Sequence, residues 1–398
     1  MYSYVKDFEK LGFGMFVHFG LYSMVGRGEW IRHTLSDGEK QKYDELISKF
    51  KVRQGWAREL ARVARDAGCK YITLTTRHHD GFSLYDTCGL NEFDALHSPT
   101  GRDLVAEFVE ACREFGLVPF FYHTLLDWHV PSYNEDFPAY IDYLVASVEL
   151  LCRNYGPIGG LWFDGMWNKP DADWQEDRLY GMIRKYQPTA MIINNTGLSA
   201  RGHIGHPELD SVTFERGQPS RVATNDRPRA GEMCEVLNDH WGYAAEDFDY
   251  KSIPTLLQSL FNCRGNNCNF LLNVGPMPNG RLRPLDKAMM QEIGRWLKPL
   301  NGLIYRARRS PVESDDAVTL TDGEYHYAVI PNVPVNGNAD VVLVNGEPRT
   351  VTLRADAPIR EASWLEDGSP IEVDQNTFCV KPFPYGISRY FRIARFKL

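Results

Sequence analysis

Eight short apolar runs, separated by helical or polar stretches, occupy residues 14 to about 300, and this alternation constrains the fold more than any other feature. The runs are GMFVHFG (14–20), YITLTT (71–76), LVPFFYHT (117–124), GGLWFDG (159–165), AMIINN (190–195), DSVTFE (210–215), EMCEVL (232–237) and NFLLNVG (269–275). Strands buried on both faces read as continuous hydrophobic segments rather than alternating ones. The stretches between them include WARELARVARDAG (56–68), GRDLVAEFVEACREFG (101–116) and FPAYIDYLVASVELLCRNYG (137–156), which carry helical periodicity. Gly68 and Gly116 suit the position just past a helix end. Repetition about eight times predicts a (β/α)8-like barrel rather than an open doubly wound sheet. No GxGxxG follows the first run, which also argues against a dinucleotide fold.

The texture changes after about residue 305. AVTLTDGEYHYAVI, ADVVLVNGEPRTVTL, REASWLEDGSPIEV and YGISRYFRIARFKL are short alternating runs punctuated by Asp-Gly, Asn-Gly and Pro. They predict a small antiparallel β-sandwich, so the expected division is a barrel over 1–305 and a sandwich over 306–398. The sandwich would be a packing module or a carbohydrate-binding module. With no aromatic platform in it, packing is the expectation.

Charge and composition exclude several classes. A formal net charge of -8 gives no basic footprint for nucleic acid or an anionic membrane. MYSYVKDFEKLGFG carries charges where a signal peptide needs an apolar core, and no run reaches the length of a membrane span. Eight cysteines form no CxxC pair, which predicts a reduced, cytoplasmic chain with buried thiols rather than a disulfide framework or a zinc site. Nine Trp and twenty Tyr suit stacking on sugar rings, as well as a large core.

Polar residues gather at the ends of the predicted strands, where a barrel converges them on one site. His18 ends the first, with Glu29 and Trp30 in its loop. His78, His79 and Asp80 follow the second. Tyr122, His123, Asp127, Trp128 and His129 belong to the third, Trp162 and Asp164 to the fourth, Asn194 and Asn195 to the fifth, and Glu215 to the sixth. Two carboxylates across such a pocket suit glycosidic bond cleavage, one attacking and the other protonating the departing oxygen. A metal-dependent hydrolase is the competing chemistry. The adjacent rings of His78 and His79 are expected to diverge, unlike an HxH pair on one strand face, so no metal and no other cofactor is expected.

A resemblance sharpens this reading. KLGFGMFVHFGLYS (10–23), GEW (28–30), TTRHHDGF (75–82), LWFDG (161–165), HWGY (240–243) and GNNCNFLLNVGPMPNG (265–280) resemble, in order, the α-L-fucosidases of glycoside hydrolase family 29. The resemblance implies a retaining exo-hydrolase with a (β/α)8-like barrel and a C-terminal β-sandwich, acting on terminal fucose of an oligosaccharide or glycoconjugate. It puts Asp164 at the family's nucleophile, and His18, Glu29, Trp30, His78, His79, Tyr122 and Trp162 on positions lining the fucose pocket. Two glutamates stand as acid/base: Glu215 in VTFERG, favoured because it ends a strand, and Glu232 in GEMCEVLNDHWGY, with Glu235 a weaker third. INNTG (193–197) stands where many relatives read Asn-Asp-Arg, and Arg201 is a candidate replacement for that arginine. A non-catalytic sugar-binding protein on the same barrel, or an exo-glycosidase of similar stereochemistry such as an α-L-galactosidase, remains an alternative.

Overall fold

The computed structural model describes residues 2–222, 226–338, 340–341 and 346–398. Eight parallel strands close into a barrel in chain order: β1 Phe13–Val17, β2 Tyr71–Arg77, β3 Val118–Thr124, β4 Gly160–Asp164, β5 Met191–Asn194, β6 Ser211–Thr213, β7 Ala230–Val236 and β8 Cys268–Val274. β1 pairs with both β2 and β8, which completes the ring. Every predicted run supplies one strand.

Helices over Trp56–Ala67, Leu104–Glu114, Phe137–Asn154, Glu176–Tyr186, Ile253–Gly265 and Pro284–Leu297 surround the barrel. Their boundaries follow local chemistry. Asp103 accepts from Ala106 N at 2.9 Å and Ser252 from Thr255 N at 3.3 Å, each filling an orphan donor of a first turn. The helix over 56–67 buries Trp56, Leu60, Val63, Ala64 and Ala67, a stripe at helical spacing. It stops at Gly68, whose φ of 92° is left-handed. The helical alternation is incomplete: among the described residues no helix lies between β5 and β6 or between β6 and β7. The first of these connections contains RGHIGHPELD, rich in glycine and proline, which break helices.

Inside the ring, Phe16, Tyr71, Phe120, Tyr122, Trp162, Met191, Ile193, Cys234 and Leu271 form one packed cluster. Val5 and Phe8, from the helix Ser3–Leu11, join it near the barrel's amino-terminal end. Gly160 is required there, because a Cβ would stand 2.7 Å from the Phe120 ring and 2.6 Å from Met191 O.

Beyond Arg306 the chain forms β9 Arg308–Arg309, β10 Val318–Thr321, β11 His326–Pro331, β12 Arg349–Thr352, β13 Arg360–Trp364, β14 Val373–Asp374, β15 Thr377–Val380 and β16 Phe391–Lys397. They make an antiparallel sheet in the order β13-β16-β11-β10-β9 and a second in the order β12-β15-β14. β11 shows why two layers form. Ala328 and Ile330 face the core between the sheets, while Tyr327 and Val329 join the cluster of the barrel helices. Most of the run ADVVLVN predicted in this region lies outside the described residues. No described helix is long and apolar enough to cross a membrane. All eight cysteines are free, six of them buried.

Candidate active site

A cavity of about 610 Å³ opens among the strand ends and loops where Asp164, His18 and Glu215 lie. This is the carboxyl end of a parallel barrel, where βα loops are free to carry chemistry. Strand alternation decides which side chains enter. On β3 Tyr122 points inward, while His123 turns out to the helix over 137–154, near Ser147. On β4 Trp162 and Asp164 share the inner face. Asn195, just past β5, enters the cavity, whereas Asn194 lies outside it, near Tyr180.

His78 and His79 depart from expectation. Their rings do not diverge: they lie 4.2 Å apart and both line the cavity. The β2–β3 register shifts between Thr75 and Arg77, and a bulge re-aims the residues beyond it. Arg77 therefore turns outward to Tyr143 and Ser147. Both histidines then lie beyond the strand end, where alternation no longer applies.

Asp164 is the centre of the arrangement. Tyr122 donates to its Oδ2 at 3.1 Å, and the His79 Nε2 edge lies 3.4 Å from the same oxygen. Trp167 Nε1 donates to Oδ1 at 3.0 Å, joined by Asn195 Nδ2 at 3.2 Å. Burial opposes ionisation, but bonds from His79, Trp167 and Tyr122 outweigh it and hold this carboxyl below the usual range. The His79 ring is anchored behind by Thr124, whose hydroxyl lies 2.6 Å from Nδ1 and donates to Leu126 O at 2.5 Å. Because that hydroxyl proton is spent on Leu126, Thr124 accepts from His79 Nδ1–H.

Glu215 faces Asp164. Burial, then the neighbouring charge of Asp164, pushes its carboxyl up, while a hydrogen bond from Asn195 pulls the other way. Neither Arg216 nor Arg227 makes an ion pair with it. Arg227 pairs with Asp210, and Arg216 lays its guanidinium over Trp241, 5.3 Å from the ring centroid. Arg216 has a φ of 47°, a left-handed conformation costly for a residue with a Cβ. Asn195 joins the two acids: Nδ2 donates to Glu215 Oε2 at 2.8 Å and to Asp164 Oδ1. Its Oδ1 accepts from the Thr213 hydroxyl at 2.9 Å, which fixes the amide's orientation.

Glu232 occupies another level. It sits on the inner face of β7 two residues before Cys234, one layer deeper in the barrel, and does not line the cavity. Tyr71 donates to its Oε2 at 2.5 Å and Trp162 Nε1 to its Oε1 at 2.8 Å. Burial raises its pKa to about 7. Glu235 also lies outside the cavity, 3.4 Å from Lys251. Arg201 bonds the Glu215 carbonyl rather than entering the cavity.

The remaining walls are polar groups locked by their neighbours. Asn273 Nδ2 donates to Trp241 O, so its Oδ1 accepts from His18 Nδ1 at 2.7 Å, which leaves His18 Nε2 as an acceptor. Burial drives the His18 pKa down to about 3, and His78 well below its ordinary value; both rings are neutral. Glu29 Oε2 accepts from Gly242 N at 2.8 Å. Tyr122 and Trp162 stack at 5.6 Å, and Trp30 stands at the rim, 37% exposed. Of the residues gathered from the strand ends, Asp80, His123, Asp127, Trp128, His129 and Asn194 do not line the cavity. Trp167, Arg216 and Trp241 do, although sequence reasoning assigned them no role. Among the described residues no group of three or more His, Cys, Asp or Glu is arranged to hold a metal ion.

A parallel barrel that sets opposed carboxylates among histidines and aromatic rings defines a glycoside hydrolase. The family model for alpha-L-fucosidase matches residues 2–302, and the chain belongs to that family. Human plasma alpha-L-fucosidase is 25% identical over 425 residues, covering 95% of this chain and 88% of the relative. An alpha-L-fucosidase of Dictyostelium discoideum is 26% identical over 333 residues, covering 75% and 70%. The solved alpha-L-fucosidase isoenzyme 1 from Paenibacillus thiaminolyticus aligns with a TM-score of 0.84 at 28% identity, covering 99% of this chain and 98% of that one.

Proposed function

We propose that this chain is a retaining exo-α-L-fucosidase in which Asp164 is the nucleophile and Glu215 the acid/base. One observation carries the mechanism: a single amide, Asn195 Nδ2, bonds both carboxylates. Laid end to end, those two bonds limit the oxygens they reach to a separation of about 6 Å. Inverting glycosidases hold their carboxyls roughly 6.5–9.5 Å apart to admit a water, and retaining ones about 5–5.5 Å. That ceiling on the two bonded oxygens is compatible with direct attack by a carboxylate, the retaining mechanism of the family. The names of the relatives supply the sugar.

In the first step an Asp164 oxygen forms a bond to the anomeric carbon as the glycosidic C–O bond breaks, and Glu215 gives its proton to the departing oxygen. In the second, ionised Glu215 takes a proton from water, whose oxygen displaces Asp164 from the same carbon. The shifts run the right way: Asp164 is held ionised and Glu215 is pushed towards its protonated form. His18, His78, His79 and Glu29 would bind hydroxyls; Trp30, Tyr122 and Trp162 would shape the wall around the ring. The partner is a fucosylated glycan, the catalytic unit falls within 1–305, and 306–398 serves as a packing module.

The test is aryl glycoside turnover with azide rescue. Wild type should release nitrophenol from the α-L-fucoside, and Asp164→Ala should not. Azide should rescue Glu215→Ala with an α-fucosyl azide product, because it attacks the covalent intermediate, and should rescue Asp164→Ala, if at all, with the β-azide. An α-azide from Glu232→Ala and none from Glu215→Ala would reassign the acid/base. Fucose binding without turnover of any glycoside would make the chain a sugar-binding protein.

A further inference from the structure

Three apolar side chains stand exposed around this cavity: Trp30 at 37%, Trp167 at 38% and Leu198 at 54%. Single exposed hydrophobics are ordinary, but a group of them at the rim of a polar pocket marks a contact surface. Two are organised as a pair. The Trp30 and Trp167 rings lie nearly parallel, 16° apart in plane with centroids 6.0 Å apart. Trp128 meets Trp30 edge-on at 5.1 Å and braces it from outside the cavity.

Trp167 is set by the chain just after Asp164. Gly165 adopts φ 99°, and the 3-10 turn Met166–Asn168 follows at once. That turn brings the indole over the loop after β5, where a Cβ on Gly197 would stand 3.4 Å from the ring. The same indole donates its N–H to Asp164 Oδ1. Trp167 thus has one edge on the reacting carboxylate and a face at the cavity mouth.

Resting on the fucosidase reading above, we propose that Trp167, set beside Trp30 at the outer edge of the fucose wall, forms the leaving-group subsite, its exposed face taking the apolar face of a pyranose or aryl ring. We further assign Trp167 as a positioning residue that links the seating of that ring to the placement of Asp164. An aromatic face rewards a ring carrying a flat run of C–H groups and offers little to a methyl group or to the hydroxyl of an amino-acid side chain. The subsite therefore favours fucose linked to a second sugar over fucose linked directly to serine or threonine. Asp164 also faces His18, His79, Tyr122, Glu215 and Cys234; of these His79 meets the Trp167 ring edge-on at 6.1 Å, so Trp167→Phe, which keeps a ring there, isolates the lost N–H.

Trp167→Phe and Trp167→Ala separate the two roles. Phe keeps a stacking face and lacks the N–H; Ala lacks both. The readouts are kcat/KM for a fucosyl disaccharide and for methyl α-L-fucoside, and the acid limb of each pH profile. Trp167→Ala should lower the disaccharide-to-methyl ratio about tenfold or more, and Trp167→Phe should largely keep it. Both variants should move the acid limb to higher pH, because Asp164 loses a donor that favours its charge. An unchanged ratio in Trp167→Ala would overturn the subsite, and an unmoved acid limb would overturn the positioning role. Absence of wild-type turnover on both fucosides would instead sink the fucosidase reading, so the two failures are distinguishable.

Discussion

The side-chain amide of Asn195 donates to Glu215 Oε2 at 2.8 Å. The bond favours the ionised carboxylate, against the burial and the Asp164 charge that raise its pKa. A general acid must be protonated in the free enzyme, so its pKa marks the alkaline limb of the kcat/KM profile. Asn195→Ala removes the opposing bond, and the limb should move to higher pH. Hydrogen bonds to charged groups contribute about 1.5–3 kcal/mol, so kcat/KM at the optimum should fall by about 10- to 100-fold. A pH–rate series on an aryl fucoside checks both; a limb that stays in place would remove Glu215 from the acid role.

The strands were legible because a buried parallel strand writes itself as an apolar run, and their inner faces followed from two-residue alternation. Trp162 and Asp164, two residues apart on β4, share one face by that rule, and both line the cavity. Where local backbone departs from the rule, legibility ended. The register shift in β2 put both His78 and His79 into the cavity, and nothing in TTRHHDGF marks a bulge. Arg216 enters through a left-handed φ on a residue that ordinarily avoids it. Depth was the other blind spot: Glu232 and Cys234 share an inner face, and only the stagger of neighbouring strands sets which one reaches the cavity. Trp167 left a usable signal, since an aromatic three residues past the strand-end acid, after a glycine, lies within reach of that acid.

Thr124 holds the His79 ring from behind, accepting from Nδ1 while donating to Leu126 O. Thr124→Val keeps the shape and leaves a buried ring N–H unpaired. The expected stability loss is about 1–3 kcal/mol, readable as a lower denaturant midpoint. His79 also makes the largest contribution holding the Asp164 pKa down. A loosened ring should let that pKa rise and move the acid limb of kcat/KM to higher pH. A stability loss with the acid limb unmoved would confine Thr124 to a structural role.

Glu232 carries a signature in stability rather than in rate. Its folded pKa is about 7 because burial penalises the charge, against an ordinary 4.5. A raised folded pKa contributes stability that is fully present below the unfolded pKa and is lost as pH rises through the folded one. The window is therefore about pH 4.5 to 7, and the loss is on the order of 3 kcal/mol. Glu232→Gln cannot titrate, yet its amide oxygen can still accept from Trp162 and its NH2 can donate to the Tyr71 hydroxyl. The stability of Glu232→Gln relative to wild type should rise across that window and level off above it. A difference that stays flat from pH 4 to 8 would show that Glu232 keeps one charge state throughout.

The seam between the helices over 56–67 and 284–297 sets two effects against each other at Gly294. Glycine in a helix interior costs about 1 kcal/mol relative to alanine, so propensity alone predicts that Gly294→Ala stabilises. Packing opposes this. A Cβ at Gly294 would lie 2.0 Å from Asp66 O and 2.8 Å from Ala67 Cα, and both are backbone atoms that no rotamer change can move aside. Relief requires the helices to separate, pulling Met290, Ile293 and Leu297 away from the cluster they share with Leu60, Ala64 and Ala67. Overpacking of this kind costs typically about 1–3 kcal/mol and more where backbone must shift, so packing wins. Gly294→Ala should lower the denaturant midpoint without altering the pH profile of turnover, since the seam lies on the outer ring of the barrel. A midpoint equal to or above that of wild type would mean that the helices do not approach as closely as the 2.0 Å contact requires.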